Sequence, residues 1–191
     1  RVPVSLPGGL LERLRGAARP EGATLYMVAG GAFQVLLSRY AATDHVVVGT
    51  PVAARTRRET EGLIGFFVNT LALRTDLSGD PELREVLRRV REATLGAWEH
   101  QELPFDRLVA ELRPERSPGH SPVVQVMFAL RDADPAPEGP DRLRSRRVDA
   151  DPGTTRYDLA LELAVRPDCI AGALEYSTDL FERGTVLRML V

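Results

Sequence analysis

The stretch SPVVQVMFAL at residues 121–130 carries an apolar side chain at nearly every position from Val123 onward. A strand with one face in water alternates apolar and polar residues, so this one is expected to be a strand covered on both faces. The rest of the chain offers helices to cover it. Leu83, Val86, Leu87, Val90, Thr94, Ala97 and Trp98 form a continuous stripe at helical spacing, with Asp80 as its cap and Pro81 at the first helical position. A tryptophan in such a stripe is a core residue, and its truncation to alanine is expected to cost about 3–5 kcal/mol. Leu10, Leu11, Leu14 and Ala18 share a face of an earlier helix, and Thr24 caps a second one carrying Leu25, Val28, Ala32, Phe33, Leu36, Leu37 and Tyr40. Gly30 and Gly31 weaken that helix by about 1 kcal/mol each relative to alanine, and close approach of a neighbouring backbone is the expected reason. A short helix restarts after Pro104 with Phe105, Leu108, Val109 and Leu112 inward.

HVVVGTPV at 45–52 and FFVNTLALR at 66–74 read as further buried strands, with the polar loop AARTRRETEG between them. YDLALELAV at 157–165 places Leu159, Leu161, Leu163 and Val165 on one face, and IAGALEYST follows after the turn RPDC, which makes a hairpin. A last helix begins near Phe181. Helices and strands mix without a regular βαβ succession, so the fold class is an α/β sandwich. The Pro-, Gly-, Asp- and Arg-rich segment 131–155 is longer than loops usual in compact domains, and such loops carry function or move.

A chain of 191 residues with 43% hydrophobic content has enough apolar material for one core. Its 25 basic and 27 acidic residues nearly cancel, which disfavours nucleic acid and membrane surfaces as partners. Every basic residue besides histidine is an arginine. The lone Cys169 excludes an internal disulfide framework and points to a reducing, cytoplasmic setting, with a buried core role for the thiol. No apolar run approaches the roughly 18 residues of a spanning helix, and no signal peptide is legible. Beginning on Arg1, the sequence reads as a segment of something longer.

Self-contained chemistry is hard to find. No G-x-G-x-x-G, Walker loop, G-x-S-x-G elbow or H-E-x-x-H is present. His45, His100 and His120 stand apart without a ligand pattern, so no metal site is expected and each reads as structural or surface. The RLRSRR run at 142–147 reads as a solvated loop rather than a phosphate site.

Three phrases carry a specific resemblance: IGFFVNTLALR at 64–74, EHQELPFDRLV at 99–109 and HSPVVQVMFAL at 120–130. In order and approximate spacing they resemble the later core motifs of condensation domains from nonribosomal peptide synthetases. TLYMVAGGAFQVLLSRY, DHVVVGTPVAART and the hairpin resemble the same family, so the likeness spans essentially the whole chain. Val123 and Val124 depart from the family's usual Leu-Phe, and Gly30 and Gly31 from its larger residues. The wording is closest to the subgroup that joins two L-configured residues. The family's H-H-x-x-x-D-G motif is absent, since no two histidines are adjacent. The resemblance is therefore to the C-terminal lobe alone, residues 1–191.

What the resemblance implies is one lobe of a V-shaped pair with chloramphenicol-acetyltransferase-like fold, a tunnel running between the lobes. Residues 47–67, with Gly65, Phe66 and Phe67, would be the crossover that floors the tunnel, and 131–157 a latch reaching the other lobe. No catalytic residue is expected in this chain. Asn69 and Thr70, with Ser121 and Gln125, are the candidate tunnel-lining residues. No cofactor is expected to bind directly; the phosphopantetheine arm of a carrier protein brings the substrate. Expected partners are the N-terminal lobe, peptidyl carrier proteins and an adjacent adenylation domain, with self-association where the other lobe is missing. The alternatives are a non-catalytic module that docks carrier protein or a neighbouring domain, and a lobe of a related cyclisation, epimerisation or acyl-CoA transferase domain. Asn69 and Gln125, the amides set among apolar strand residues, must be hydrogen-bonded or cost about 1–3 kcal/mol each. They can serve each other, a loop backbone, or an amide-containing arm.

Overall fold

In a computed structural model of the chain, residues 1–114, 121–132 and 153–190 are described. The strands are β1 (Val2–Pro7), β2 (His45–Val52), β3 (Asn69–Asp76), β4 (Val126–Asp132), β5 (Leu159–Val165) and β6 (Cys169–Tyr176). The helices are α1 (Gly8–Ala18), α2 (Leu25–Ala41), the single turn α3 (Arg58–Glu61), α4 (Leu83–Glu99), α5 (Phe105–Leu112) and α6 (Arg183–Met189). One sheet runs in the order β1-β6-β5-β4-β2-β3. It is mixed: β4 lies parallel to β2 and β5, while β2 with β3, β5 with β6 and β6 with β1 are antiparallel.

Alternation sorts the sheet into two unlike faces. Val46, Val48, Phe128, Leu159, Leu161, Leu163, Ile170 and Leu174 project from one face into a core shared with Leu11 of α1, Met27 and Phe33 of α2 and Val86 and Val90 of α4. Ala129, Ala160, Ala171 and Ala173 lie on the other face, and none of them joins that core. The two-sided burial expected for 121–130 therefore takes a different form. Within β4 only Phe128 is fully buried, and Val126, Met127, Ala129 and Leu130 are half-buried. Small residues, Ala129, Ala160 and Ala173 among them, occupy much of the opposite face.

The Phe128 ring is 1% exposed and sits 5.2 Å from Tyr26 and 6.0 Å from Phe33, centroid to centroid. A Cβ on Gly30 would stand 3.1 Å from that ring, and one on Gly31 would stand 3.3 Å from Val90 Cγ2. The two glycines of α2 thus make room for side chains of β4 and α4, not for the backbone that their sequence context suggests. Gly49 has a similar role in the sheet. β2 and β4 are registered through Gly49 and Met127, where a Cβ would collide with Met127 Sδ and Val124 Cγ1.

Thr24 caps α2 as expected, its Oγ1 accepting from Met27 N at 3.2 Å. Four further expectations need correction. The cap of α4 is Glu82, whereas Asp80 takes a left-handed φ of 48° and pairs with Arg39 at 3.1 Å. The α4 stripe is buried only through Val86, Leu87, Val90 and Thr94; Leu83 near one end of the helix is 61% exposed and Trp98 near the other 40%. No residue of α5 is fully buried, and Leu112 is 58% exposed. Cys169 is half-buried at the start of β6. β1, which has no counterpart in the sequence reading, is an edge strand whose Pro3 and Pro7 sit where proline is tolerated.

α4 carries an ion-pair ladder. Arg88 makes two bonds to Glu85 at 2.6 and 2.7 Å and one to Glu92 at 2.6 Å, and Arg89 Nε reaches Glu85 at 2.7 Å. Arg89 Nη1 also donates to the carbonyls of Asp76 and Ser78 at 2.9 and 3.0 Å, tying α4 to the end of β3. No described helix is long and apolar enough to cross a membrane.

Two measurements check this architecture. Phe128→Ala is expected to destabilise by about 3–5 kcal/mol in denaturant unfolding, and Trp98→Ala by less than about 2 kcal/mol, below what the stripe implies for it. The hydrogen bonds from Arg88 and Arg89 hold the Glu85 carboxyl at about 2 instead of 4.5. A depressed carboxylate stabilises the fold above its unfolded value and loses that effect as pH falls through its folded value. Thermal unfolding at low salt should therefore show a loss for the parent between pH 4.5 and about 2 that is smaller in Glu85→Gln, and the difference should shrink as salt is added.

Candidate functional site

Val52, the last residue of β2, pairs with Asn69, the first of β3. The chain between them, residues 53–68, leaves the end of the sheet and returns, so its shape rests on its own contacts. Arg55 supplies most of them. Its guanidinium lies 4.1 Å from the centroid of the Phe67 ring, and its Nη1 donates to the carbonyl of Thr60 and, at 3.5 Å, to that of Glu61. Thr60 Oγ1 donates to Arg57 O at 2.6 Å and closes the α3 turn. Gly65 leaves room for the Phe67 ring, since a Cβ there would be 3.0 Å from it. The two adjacent phenylalanines consequently diverge. Phe67 packs beneath Arg55, while Phe66 is 90% exposed and Ile64 105%.

Asn69 is bonded to the backbone of the loop between α4 and α5. Its Nδ2 donates to the carbonyls of Gln101 at 3.0 Å and Leu103 at 2.8 Å, and its Oδ1 accepts from Phe105 N at 3.0 Å. The loop between α4 and α5 is thus held to the first residue of β3. From the same loop, Glu102 Oε1 accepts from Thr56 Oγ1 of the crossover at 2.8 Å. Crossover and loop enclose an open cleft of about 480 Å³, lined by Thr56, Arg57, Phe66, Phe67, Asn69 and Gln101 among others.

The remaining sequence candidates lie elsewhere. Thr70 projects from the sheet face opposite Asn69, its Cγ2 against Gly49. Ser121 and Gln125 are at the other end of the sheet, for Gln125 precedes β4 while Val52 lies level with Leu130; five residues of strand put about 16 Å between them. Gln125 Nε2 donates to Ser121 O at 2.8 Å. It spans a tight turn in which Val124 N donates to Pro122 O at 2.7 Å and Val123 has a φ of 65°, a strained value for a β-branched residue. Of the three possibilities for the two amides, each takes the loop backbone and neither serves the other.

His45 Nδ1 lies 3.4 Å from Arg74 Nη2 and 3.7 Å from Asp76, and His100 ends α4. His120, residues 142–147 and most of the latch segment, 133–152, lie outside the described residues. Among the described residues no group of three His, Cys, Asp or Glu side chains is placed to hold a metal ion. Tyr26 was not singled out by sequence. Its phenol is pushed up by burial, with Thr50 opposing, though the hydroxyl has no partner at full hydrogen-bond geometry. Arg55, Thr56 and Glu102 were also missed, because Thr56 and Glu102 are 46 residues apart and nothing in the polar loop marks them. This end of the sheet offers a guanidinium, a carboxylate, amides and aromatic faces, groups that can bind and orient a polar chain.

The mixed αβ architecture is a fold class, and comparison with known proteins assigns the family. The condensation domain family model matches residues 1–191, so the chain belongs to the condensation domain family. It is 49% identical over 187 residues to a component of the linear gramicidin synthase of Brevibacillus parabrevis, spanning 95% of this chain and 4% of that protein. It is 41% identical over 192 residues to the phosphinothricin tripeptide synthetase PhsB of Streptomyces viridochromogenes, 99% of this chain and 16% of that one. The chain thus spans a small part of the length of these relatives. Among solved structures, the X-domain in complex with OxyB from teicoplanin biosynthesis superposes with a TM-score of 0.89 at 32% identity, covering 99% of this chain and 42% of that one. The four-domain nonribosomal peptide synthetase holo-AB3403 gives 0.88 at 24% identity, with 99% and 16% covered. The fold is the chloramphenicol-acetyltransferase-like αβ architecture of condensation domains.

Arg55→Ala removes the contacts that shape the crossover. Trypsin cleavage after Arg57 and Arg58 is expected to accelerate about tenfold, with thermal unfolding nearly unchanged, because local opening and global stability are separate quantities.

Proposed function

We propose that this chain acts as the C-terminal lobe of a condensation domain of the subgroup joining two L-residues, contributing to peptide-bond formation between carrier-bound substrates. The observation that carries this reading is the family match along the whole of residues 1–191, over a length that is 42% of the X-domain chain, the size of one lobe. In the reaction, the acceptor amine attacks the donor thioester carbonyl, a C–N bond forms, the C–S bond breaks, and the departing thiolate receives the proton shed by the amine. The N-terminal lobe would supply the H-H-x-x-x-D-G histidine that positions or deprotonates the amine. This chain supplies the facing wall and the crossover. Peptidyl carrier proteins deliver both substrates on phosphopantetheine arms, and an adenylation domain is the expected neighbour in the synthetase.

The test joins or separates the two lobes. The 191-residue chain with loaded donor and acceptor carriers should yield no dipeptide above background, and the same chain joined to the N-terminal half of a condensation domain should yield it. Product from the chain alone would overturn the lobe reading.

The X-domain similarity favours a second reading, since that domain was solved as a complex with OxyB. On that reading the chain docks a protein and forms no bond. A joined two-lobed protein that binds loaded carrier tightly yet makes no product would favour docking.

Exposed Ile64 and Phe66 also make self-association an expected outcome when the other lobe is absent. Phe67 is unsuited to that test because it packs under Arg55. Sedimentation at several concentrations is expected to show association of the parent, reduced by Ile64→Ser with Phe66→Ser; a parent that stays monomeric would count against the exposed surface.

A further inference from the structure

The amide of Asn69 is used up by backbone groups. Two donors go to the carbonyls of Gln101 and Leu103, and the oxygen accepts from the Phe105 amide. What those three bonds fix is the loop that carries Glu102, and Glu102 in turn is the acceptor for Thr56 of the crossover. The chain of contacts runs from a rigid strand end, through the loop, to a segment in which the bonds of Arg55 and Thr60 stay within the crossover itself.

We propose that Asn69 is a positioning residue: it sets the loop between α4 and α5 as a buttress, and the Glu102–Thr56 bond passes that position to the crossover, so that Ile64 and Phe66 are presented in one orientation. This rests on the reading of the chain as a condensation-domain lobe only in its functional consequence, because the clamp itself is a property of the chain alone. The chemistry at position 69 is restrictive. Three correctly directed bonds need two N–H donors and one acceptor on a short planar group, which asparagine alone supplies at that reach. Asn69→Asp keeps the acceptor for Phe105 N but turns a carboxylate oxygen toward two carbonyl oxygens. It is nearly isosteric, so its effect comes from the lost donors and the added charge and not from a cavity.

Hydrogen exchange in the 191-residue chain separates this role from simple destabilisation. In Asn69→Asp and Asn69→Ala, amides of residues 101–105 and 56–67 should exchange about tenfold faster or more, while the centres of β5 and β6 keep their parental protection. Thr56→Val should accelerate the crossover alone, leaving 101–105 protected, and adding it to Asn69→Asp should change the crossover little further, since both cut one line of contact. In the chain joined to an N-terminal half, Asn69→Asp should raise the KM for acceptor carrier several-fold more than it lowers kcat. Fast exchange confined to 101–105, with the crossover untouched, would overturn the proposed transmission. Uniform loss of protection across the sheet would show that Asn69 is merely structural. If the parent joined protein makes no product at all, the lobe reading fails while the exchange pattern still decides the clamp.

Discussion

The contact between the Phe128 ring and Gly30 sets the spacing on which the rest of the fold depends. β4 is central in the sheet, and α2 can approach it only because the helix has no side chain where the ring lies. Gly31, the next residue, lets α4 settle against α2 through Val90 and Val86. Two adjacent glycines thus fix two layers of contact, helix to sheet and helix to helix. Larger residues there would need a smaller partner at position 128 or a displaced α2, because a close-packed interior has no slack to absorb them.

With the helices set on one face, the ends of the strands acquire different characters. At the end where β2 and β3 meet, the chain makes an excursion that the sheet does not cover, held by Arg55 over Phe67, by Thr56 to Glu102 and by the Asn69 clamp. At the other end, Gln125 closes a strained turn around Val123 onto the start of β4. Both amides therefore tie irregular backbone to regular strand. A neutral carboxamide suits this task, as it both donates and accepts without the desolvation cost of a charge. The same excursion leaves the apolar side chains of Ile64 and Phe66 in water.

Sequence by itself determined the parts whose physics is local. The β2 span, the Thr24 cap of α2, the β5–β6 hairpin and the restart of helix after Pro104 all emerge as read, because alternation, capping and proline geometry act over a few residues. The three motif phrases likewise sufficed to point to the condensation domain family. Which side chains of an amphipathic stripe are buried was decided by tertiary structure: Trp98 obeys the helical period yet stands 40% exposed, since the period says which face it shares and not what packs against it. The candidate site divides in the same way. Asn69 stood out by being polar in an apolar strand, but its partners at Gln101, Leu103 and Phe105, and the Thr56–Glu102 bond, join positions more than 30 residues apart. No short-range pattern encodes such pairs. They exist because strand order brings the end of β2, the start of β3 and the loop after α4 to one place, which only the folded chain can do.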